Sequence, residues 1–168
     1  MFHASKISFT MMSLVHETLY GMFRNPRPAL IAAGVKPGQR VLEVGCGPGF
    51  FTLGAARIVG ADGRVVALDL NPYAVRHVQA KAAREQVQNV ELMVADAAHT
   101  QLADQSFDLV LLFGFARPVG TMAKIWQELH RLLLPGGILA IEGRQRPPSE
   151  LFERQGRQGR VVQYSKKA

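Results

Sequence analysis

The sequence predicts an α/β fold, an open and mostly parallel doubly wound sheet, on three observations. A short apolar run at 40–44 breaks into glycines at alternate positions, Gly45, Gly47 and Gly49, and then into an apolar, small-residue helix at 51–59. Short apolar runs at 64–68, 90–94, 107–113 and 138–141 then alternate with helical stripes at 73–87 and 122–133. Two acids, Asp69 and Asp96, each stand just past a strand end, where α/β sheets receive ligands.

The elements follow in order. Residues 14–23 place Val15, Leu19, Met22 and Phe23 at helical spacing, and Asn25-Pro26-Arg27-Pro28 breaks them off. A second short helix covers 29–33 and stops at Gly34, and Pro37-Gly38 turns the chain into strand one. Gly60-Ala61-Asp62-Gly63 turns it into strand two. Asn71-Pro72 supplies an N-cap and a first-turn proline for the next helix, with Val75, Val78 and Ala82 inward and Arg76, Lys81 and Arg84 outward. His77 beside this stripe belongs to the surface. Gln88-Asn89 ends the helix before strand three. The run Phe107-Asp108-Leu109-Val110-Leu111-Leu112-Phe113 is the pattern of a central strand covered on both faces, with Asp108 holding neighbouring backbone. Met122, Ile125, Leu129, Leu132 and Leu133 share one helical face, His130 beside them has a structural place, and Leu134-Pro135-Gly136-Gly137 stops that helix.

The tail departs from the pattern. Residues 144–150 contain Pro147-Pro148 and are too short and too proline-broken for a crossover helix. The sequence therefore predicts strands at 151–154 and 160–165 with a turn at 156–159. One sheet face is left either bare or covered by a second subunit, a homodimer.

The glycine turn decides the chemistry. Glycine there allows positive φ and close approach of a ligand to backbone N–H groups and a helix N-terminus. The spacing is G-x-G-x-G with Pro48 inside, not the G-x-G-x-x-G of dinucleotide sites. Glu43, two residues before Gly45, would repel a pyrophosphate and suit a cation. Asp69 is placed to accept two hydrogen bonds from a ribose diol, because Asn71 can take the capping role that is the alternative. Asp96 has a loop-capping role as its alternative.

Residues 41–52 resemble motif I of the class I S-adenosylmethionine (SAM) dependent methyltransferases, and the Leu-Leu-Leu-Pro-Gly-Gly stop before a strand is a second match. The resemblance covers residues 40–141 and implies a Rossmann-like sheet with a C-terminal antiparallel hairpin and a shortened last crossover. It assigns the SAM ribose to Asp69, and the adenine to Asp96 and the Ala97 backbone. The full cofactor set it implies is Glu43, Gly45, Cys46, Gly47, Gly49, Asp69, Leu70, Asp96, Ala97 and Phe113, with S-adenosylhomocysteine as product. It puts the acceptor at the loop 114–118 and the leading helix, with His16, Glu17 and Tyr20, over the cofactor mouth.

Composition bounds the rest. The chain has 168 residues, 48% of them apolar, enough for one domain with a real core. Residues 1–13 read as a poorly ordered leader without an export signal, Met11 or Met12 is an alternative start, and no apolar run is long enough to span a membrane. A cytoplasmic location follows by default. The single cysteine, Cys46, excludes a disulfide framework and a cysteine metal site, and it suits its place by size rather than as a reactive thiol. The net charge is +7, and from Gly143 onward seven basic residues stand against two acids. That tail reads as a nucleic-acid or anionic patch, or as a solvated strand pair.

The expected activity is methyl transfer from SAM to a small-molecule acceptor, by resemblance to the methyltransferase type 11 and ubiquinone/menaquinone group. No general base stands out; His16, His99 and Glu142 are candidates only as proton acceptors. RNA methylation through the basic tail, and SAM binding without transfer, are the alternatives. Against the first, no Asn/Asp-Pro-Pro-Tyr motif follows strand four.

Overall fold

A computed structural model describes residues 25–115 and 122–167. They form α1 (Arg27–Ala33), β1 (Arg40–Val44), α2 (Thr52–Val59), β2 (Arg64–Asp69), α3 (Pro72–Arg84), β3 (Val90–Val94), β4 (Phe107–Phe113), α4 (Met122–Leu132), β5 (Leu133–Glu142), β6 (Phe152–Gln158) and β7 (Val161–Lys166). The expected helix at 14–23 lies outside the described residues, as does most of the acceptor loop beyond Phe115.

One seven-stranded sheet runs in the order β3-β2-β1-β4-β5-β7-β6. The first five strands are parallel and β7 and β6 antiparallel, which bears out the α/β, doubly wound reading. The order reverses between β1 and β4, so the glycine turn leaving β1 opens at the topological switch point.

Local signals explain the elements. Asn71 caps α3, its Oδ1 accepting from the Tyr73 N–H at 3.0 Å, and Pro72 takes the first helical position. Asn89 closes α2 by donating Nδ2 to the Ala56 and Gly60 carbonyls. Asp108 accepts the Arg40 N–H at 2.7 Å, which is the backbone-holding role expected of it. His130 contacts the Lys167 carbonyl at 3.0 Å and meets Phe152 edge to face, a structural place as expected.

Alternation along the central strands divides the core. Leu42, Val44, Val66, Leu68, Val110 and Leu112 face α4, which brings Ile125, Trp126, Leu129 and Leu132. Val41, Val65, Leu109, Leu111 and Phe113 face α1 and α2. Further along, Ala67 and Leu92 meet Val78 of α3.

Four boundaries differ from the sequence reading. The 73–87 helix ends at Arg84, because Gln86 takes a positive φ of 54°. Strand five begins at Leu133, directly after α4, and not at residue 138. Its Pro135-Gly136-Gly137 step is a bulge, since Phe107 pairs with Leu133 but Leu109 with Ile138. The tail hairpin is longer than 151–154 and 160–165. Gly156 is absorbed as a second bulge after Arg154, and the turn is the two-residue Gly159-Arg160, with Gly159 at φ 58°. Finally, the sheet face over the missing helix is not bare. Phe152, Val162 and Tyr164 are buried in the α4 cluster of the same chain.

Candidate functional site

Three hydrogen bonds hold the glycine turn at the carboxyl edge of the sheet. The Gly45 and Cys46 N–H groups donate to the Leu68 carbonyl at 2.8 and 3.0 Å, hitching the turn to the end of β2. Gly47 N–H donates to Asp69 Oδ2 at 2.9 Å, while Asp69 Oδ1 accepts from the Asn71 N–H at 2.9 Å. An ionised carboxylate offers about four acceptor sites, so Asp69 keeps room for two more donors, as many as a ribose diol has. The Asp69 carbonyl accepts the Ala95 N–H at 3.1 Å, which sets the β3 end beside it. Asp96 follows there, exposed, its Oδ1 accepting from the Ala98 N–H at 3.0 Å.

The glycines serve different ends. A Cβ at Gly47 would meet nothing within 4 Å among the described residues, so none of them fills the space before it. At Gly45 a Cβ would stand 3.0 Å from the Phe115 ring. At Gly49 it would come 2.8 Å from Val78, so that glycine lets α3 approach.

Glu43 lies under the turn and is buried, with Oε2 accepting from the Thr52 hydroxyl at 2.5 Å. Burial pushes its carboxyl up to about 7; the Thr52 hydrogen bond works against this and the nearby Asp69 charge adds to it. An acid poised near neutrality beneath a glycine turn fits a group that carries positive charge.

Other predicted residues are placed differently. The Cys46 thiol packs with Ala67 and Val78, so this residue offers the site only its backbone. Burial first, then the Glu43 and Asp69 charges, push its thiol above the usual range. We expect Cys46 in the folded protein to resist iodoacetamide at pH 8 and to react on unfolding; prompt labelling of folded protein would contradict this. The Phe113 ring is buried edge to face against Phe51 at 4.9 Å. Leu70 is half exposed just beyond Asp69, where a flat ring can rest on it. Ala97 is buried under the loop that carries Asp96. His99 is exposed on that loop and Glu142 half-buried at the end of β5; His16 lies outside the described residues.

One residue with a part in the site was not singled out from sequence. Glu128 of α4 is buried, and its Oε1 accepts both the Thr100 N–H at 2.8 Å and the Thr100 hydroxyl at 2.7 Å. Arg131 donates to it from Nε and Nη2, at 2.9 and 2.7 Å, and also reaches the Leu102 carbonyl and Asp104. These bonds hold the loop that begins at Asp96. The available signal was an acid three residues after Ile125, beside the apolar stripe of α4.

A cleft of about 360 Å³ lies at the opposite, amino end of the strands, among Arg40, Arg64, Glu91, Leu102 and Ser106. Arg40 and Arg64 open β1 and β2, so the cleft lies at the other end of the strands from the glycine turn. Among the described residues no group of three His, Cys, Asp or Glu side chains converges to hold a metal, and no helix is long and apolar enough to cross a membrane.

Residues 35–157 match the family model described as a methyltransferase domain. The chain belongs to that family. This methyltransferase domain is 34% identical over 116 residues to a ubiquinone/menaquinone biosynthesis C-methyltransferase of Hydrogenovibrio crunogenus, covering 68% of this chain and 46% of that protein. It is 31% identical over 109 residues to an arsenite methyltransferase of Halobacterium salinarum, covering 65% of this chain and 28% of that protein. The chain thus spans about half the length, or less, of these curated relatives. A SAM-dependent methyltransferase structure from Aquifex aeolicus shares the fold at TM-score 0.75 and 22% identity, covering 97% of this chain and 99% of that one. The methyltransferase fold is therefore the class I, SAM-dependent one, and SAM is the cofactor its family implies.

Proposed function

We propose that this methyltransferase domain carries a methyl group from SAM to a small-molecule acceptor. The observation that supports it most is the Asp69 carboxylate, tied to the Gly47 N–H at the switch point with two acceptor sites to spare. Asp69 and Leu70 would hold the ribose and adenine side, Asp96 and the Ala97 backbone the adenine edge, and Glu43 with the Gly45–Gly47 backbone the methionine end. Bound there, SAM supplies a methyl already activated on a sulfonium. The contribution of the chain is then to position donor and acceptor and to exclude water, which demands a shaped pocket more than a strong base. Glu142 at the end of β5 stays, with His16 and His99, a candidate only as a proton acceptor. The two curated relatives act, by their names, on quinones and arsenite, which favours a small acceptor. We read the location as cytoplasmic and a homodimer as an assembly for solution measurement.

SAM should raise the melting temperature and NAD should not, because only a ligand of the folded state adds stability. Asp69→Asn keeps one acceptor oxygen, in the place of Oδ2 for Gly47 or of Oδ1 for Asn71 but not both, and loses the charge-assisted bonds to the diol. Its SAM affinity should fall by about tenfold or more with the fold retained. An unchanged affinity by calorimetry removes Asp69 from the site.

A further inference from the structure

The charges of the tail are sorted along the sheet, and the sorting bears on the acceptor. Phe113, Glu142, Val161 and Gln158 lie in one register row across β4, β5, β7 and β6, at the carboxyl edge that carries the glycine turn. Arg157 stands one step below that row, opposite Val162, and Arg160 sits in the turn just beyond it. Arg144 and Arg146 follow Glu142 in the loop out of β5, which Gln145 fastens to the Phe115 carbonyl. The end of the β6–β7 hairpin and the loop out of β5, which adjoin through the Glu142–Val161 pair, thus bring four exposed arginines to one stretch of the carboxyl edge.

The acids of the tail are elsewhere. Glu153 pairs with Ser165 toward the other end of the hairpin, Glu150 precedes it, and Lys166 and Lys167 lie at that end too. Among the described residues none of the four arginines has a carboxylate partner. Arg157 Nε donates to the Gly159 carbonyl at 2.8 Å, and Arg146 Nη1 to the Gln145 carbonyl at 2.9 Å. These bonds steady two guanidinium groups and leave their remaining N–H donors open. The half-buried Glu142 is the one acid on this side of the rim among the described residues. Over β1 to β3 the edge carries acids instead, Asp69 and the exposed Asp96, with Glu43 buried beneath them.

We propose that the methyl acceptor is an anionic small molecule, whose phosphate or carboxylate is held by the arginines of the Gly159-Arg160 turn and the loop after β5. The proposal rests on the transferase reading and deepens it. The acidic half of the rim suits the cationic donor; the arginine half suits an anion, because the guanidinium fork matches phosphate and carboxylate oxygens two at a time. A neutral quinol ring would draw no binding energy from the four arginines, which would stay solvated.

Calorimetry with inorganic pyrophosphate on the protein saturated with S-adenosylhomocysteine tests the rim without needing the acceptor. Binding should be measurable in the millimolar range, and Arg157→Ser/Arg160→Ser or Arg144→Ser/Arg146→Ser should weaken it by about tenfold while S-adenosylhomocysteine affinity holds. No binding by the parent protein, or binding by both double variants as tight as the parent's, overturns the proposal. Short single-stranded RNA binding far more tightly than pyrophosphate, with a steep fall in added salt, overturns it in favour of a polynucleotide. Labelled SAM with fractionated extract gives the second readout. Label in a small product retained on an anion-exchange resin supports the proposal, and label in a neutral, organic-soluble product overturns it while leaving the transferase reading intact. Arginine-dependent pyrophosphate binding with no label in any fraction supports the anion site and counts against transfer alone.

Discussion

Glu128→Ala is expected to lower the unfolding free energy by about 3 kcal/mol, read from the urea midpoint, because it strands Arg131 and the Thr100 donors together. That is the low end for breaking a buried pair, chosen because the Arg131 side chain is 33% exposed and water screens it. The pH dependence carries a sign of its own. The Arg131 guanidinium, with help from Thr100, holds the Glu128 carboxyl down to about 2 from its ordinary 4.5. A carboxyl lowered in the folded state contributes stability in full above its unfolded pKa. The contribution is lost as pH falls from about 4.5 toward 2. Glu128→Gln keeps an oxygen for Thr100 and should flatten that part of the acid curve. Because Thr100 ends the loop that starts at Asp96, Glu128→Ala should also weaken SAM binding. A variant within about 0.5 kcal/mol of the parent would mean that the network holds nothing.

Glu128 also marks where the sequence stops being readable. The strands and helices carry their own periodicity, and the glycine turn with its acids sits within 54 residues of chain, Glu43 to Asp96, so the fold and the place of the candidate site at the sheet edge were legible. What escaped depends on partners far along the chain. Thr100 to Glu128 is 28 residues, and no pattern links a polar loop residue to an acid beside an apolar helical stripe. The bulges escaped for a related reason. Pro135-Gly136-Gly137 and Gly156 look like turns, and only pairing with β4 and β7 makes them irregularities inside strands. The motif residues also divide by orientation. Cys46, Gly49 and Phe113 fall in the right stretch of chain, yet their side-chain positions belong to the core, a distinction that needs the packed helices. Burial of the Phe152, Val162 and Tyr164 face likewise follows from the reach of α4, which no residue of the tail announces.

The Glu43 carboxyl should couple stability and SAM affinity to pH in opposite directions. Its pKa is raised by burial to about 7 from 4.5, so the folded protein binds one more proton than the unfolded chain between those values. Stability is then complete below about 4.5, declines as pH rises toward 7, and is flat above it, a total of about 3 kcal/mol. Glu43→Gln should remove the slope and leave the protein more stable than its parent at pH 8. SAM works the other way. Its ammonium and sulfonium favour the ionised carboxylate, so binding near neutrality should drive a proton off. Affinity should rise by about tenfold from pH 6 to pH 8 as the ionised fraction grows. Calorimetry in two buffers of different ionisation enthalpy reads that proton release directly. Adenosine, which lacks both cationic centres, should bind without it, and Glu43→Gln should bind SAM weakly and evenly across the range. A SAM affinity that ignores pH in the parent protein would place the methionine end of the cofactor away from Glu43. The space before Gly47, which none of the described residues fills, would then need another occupant.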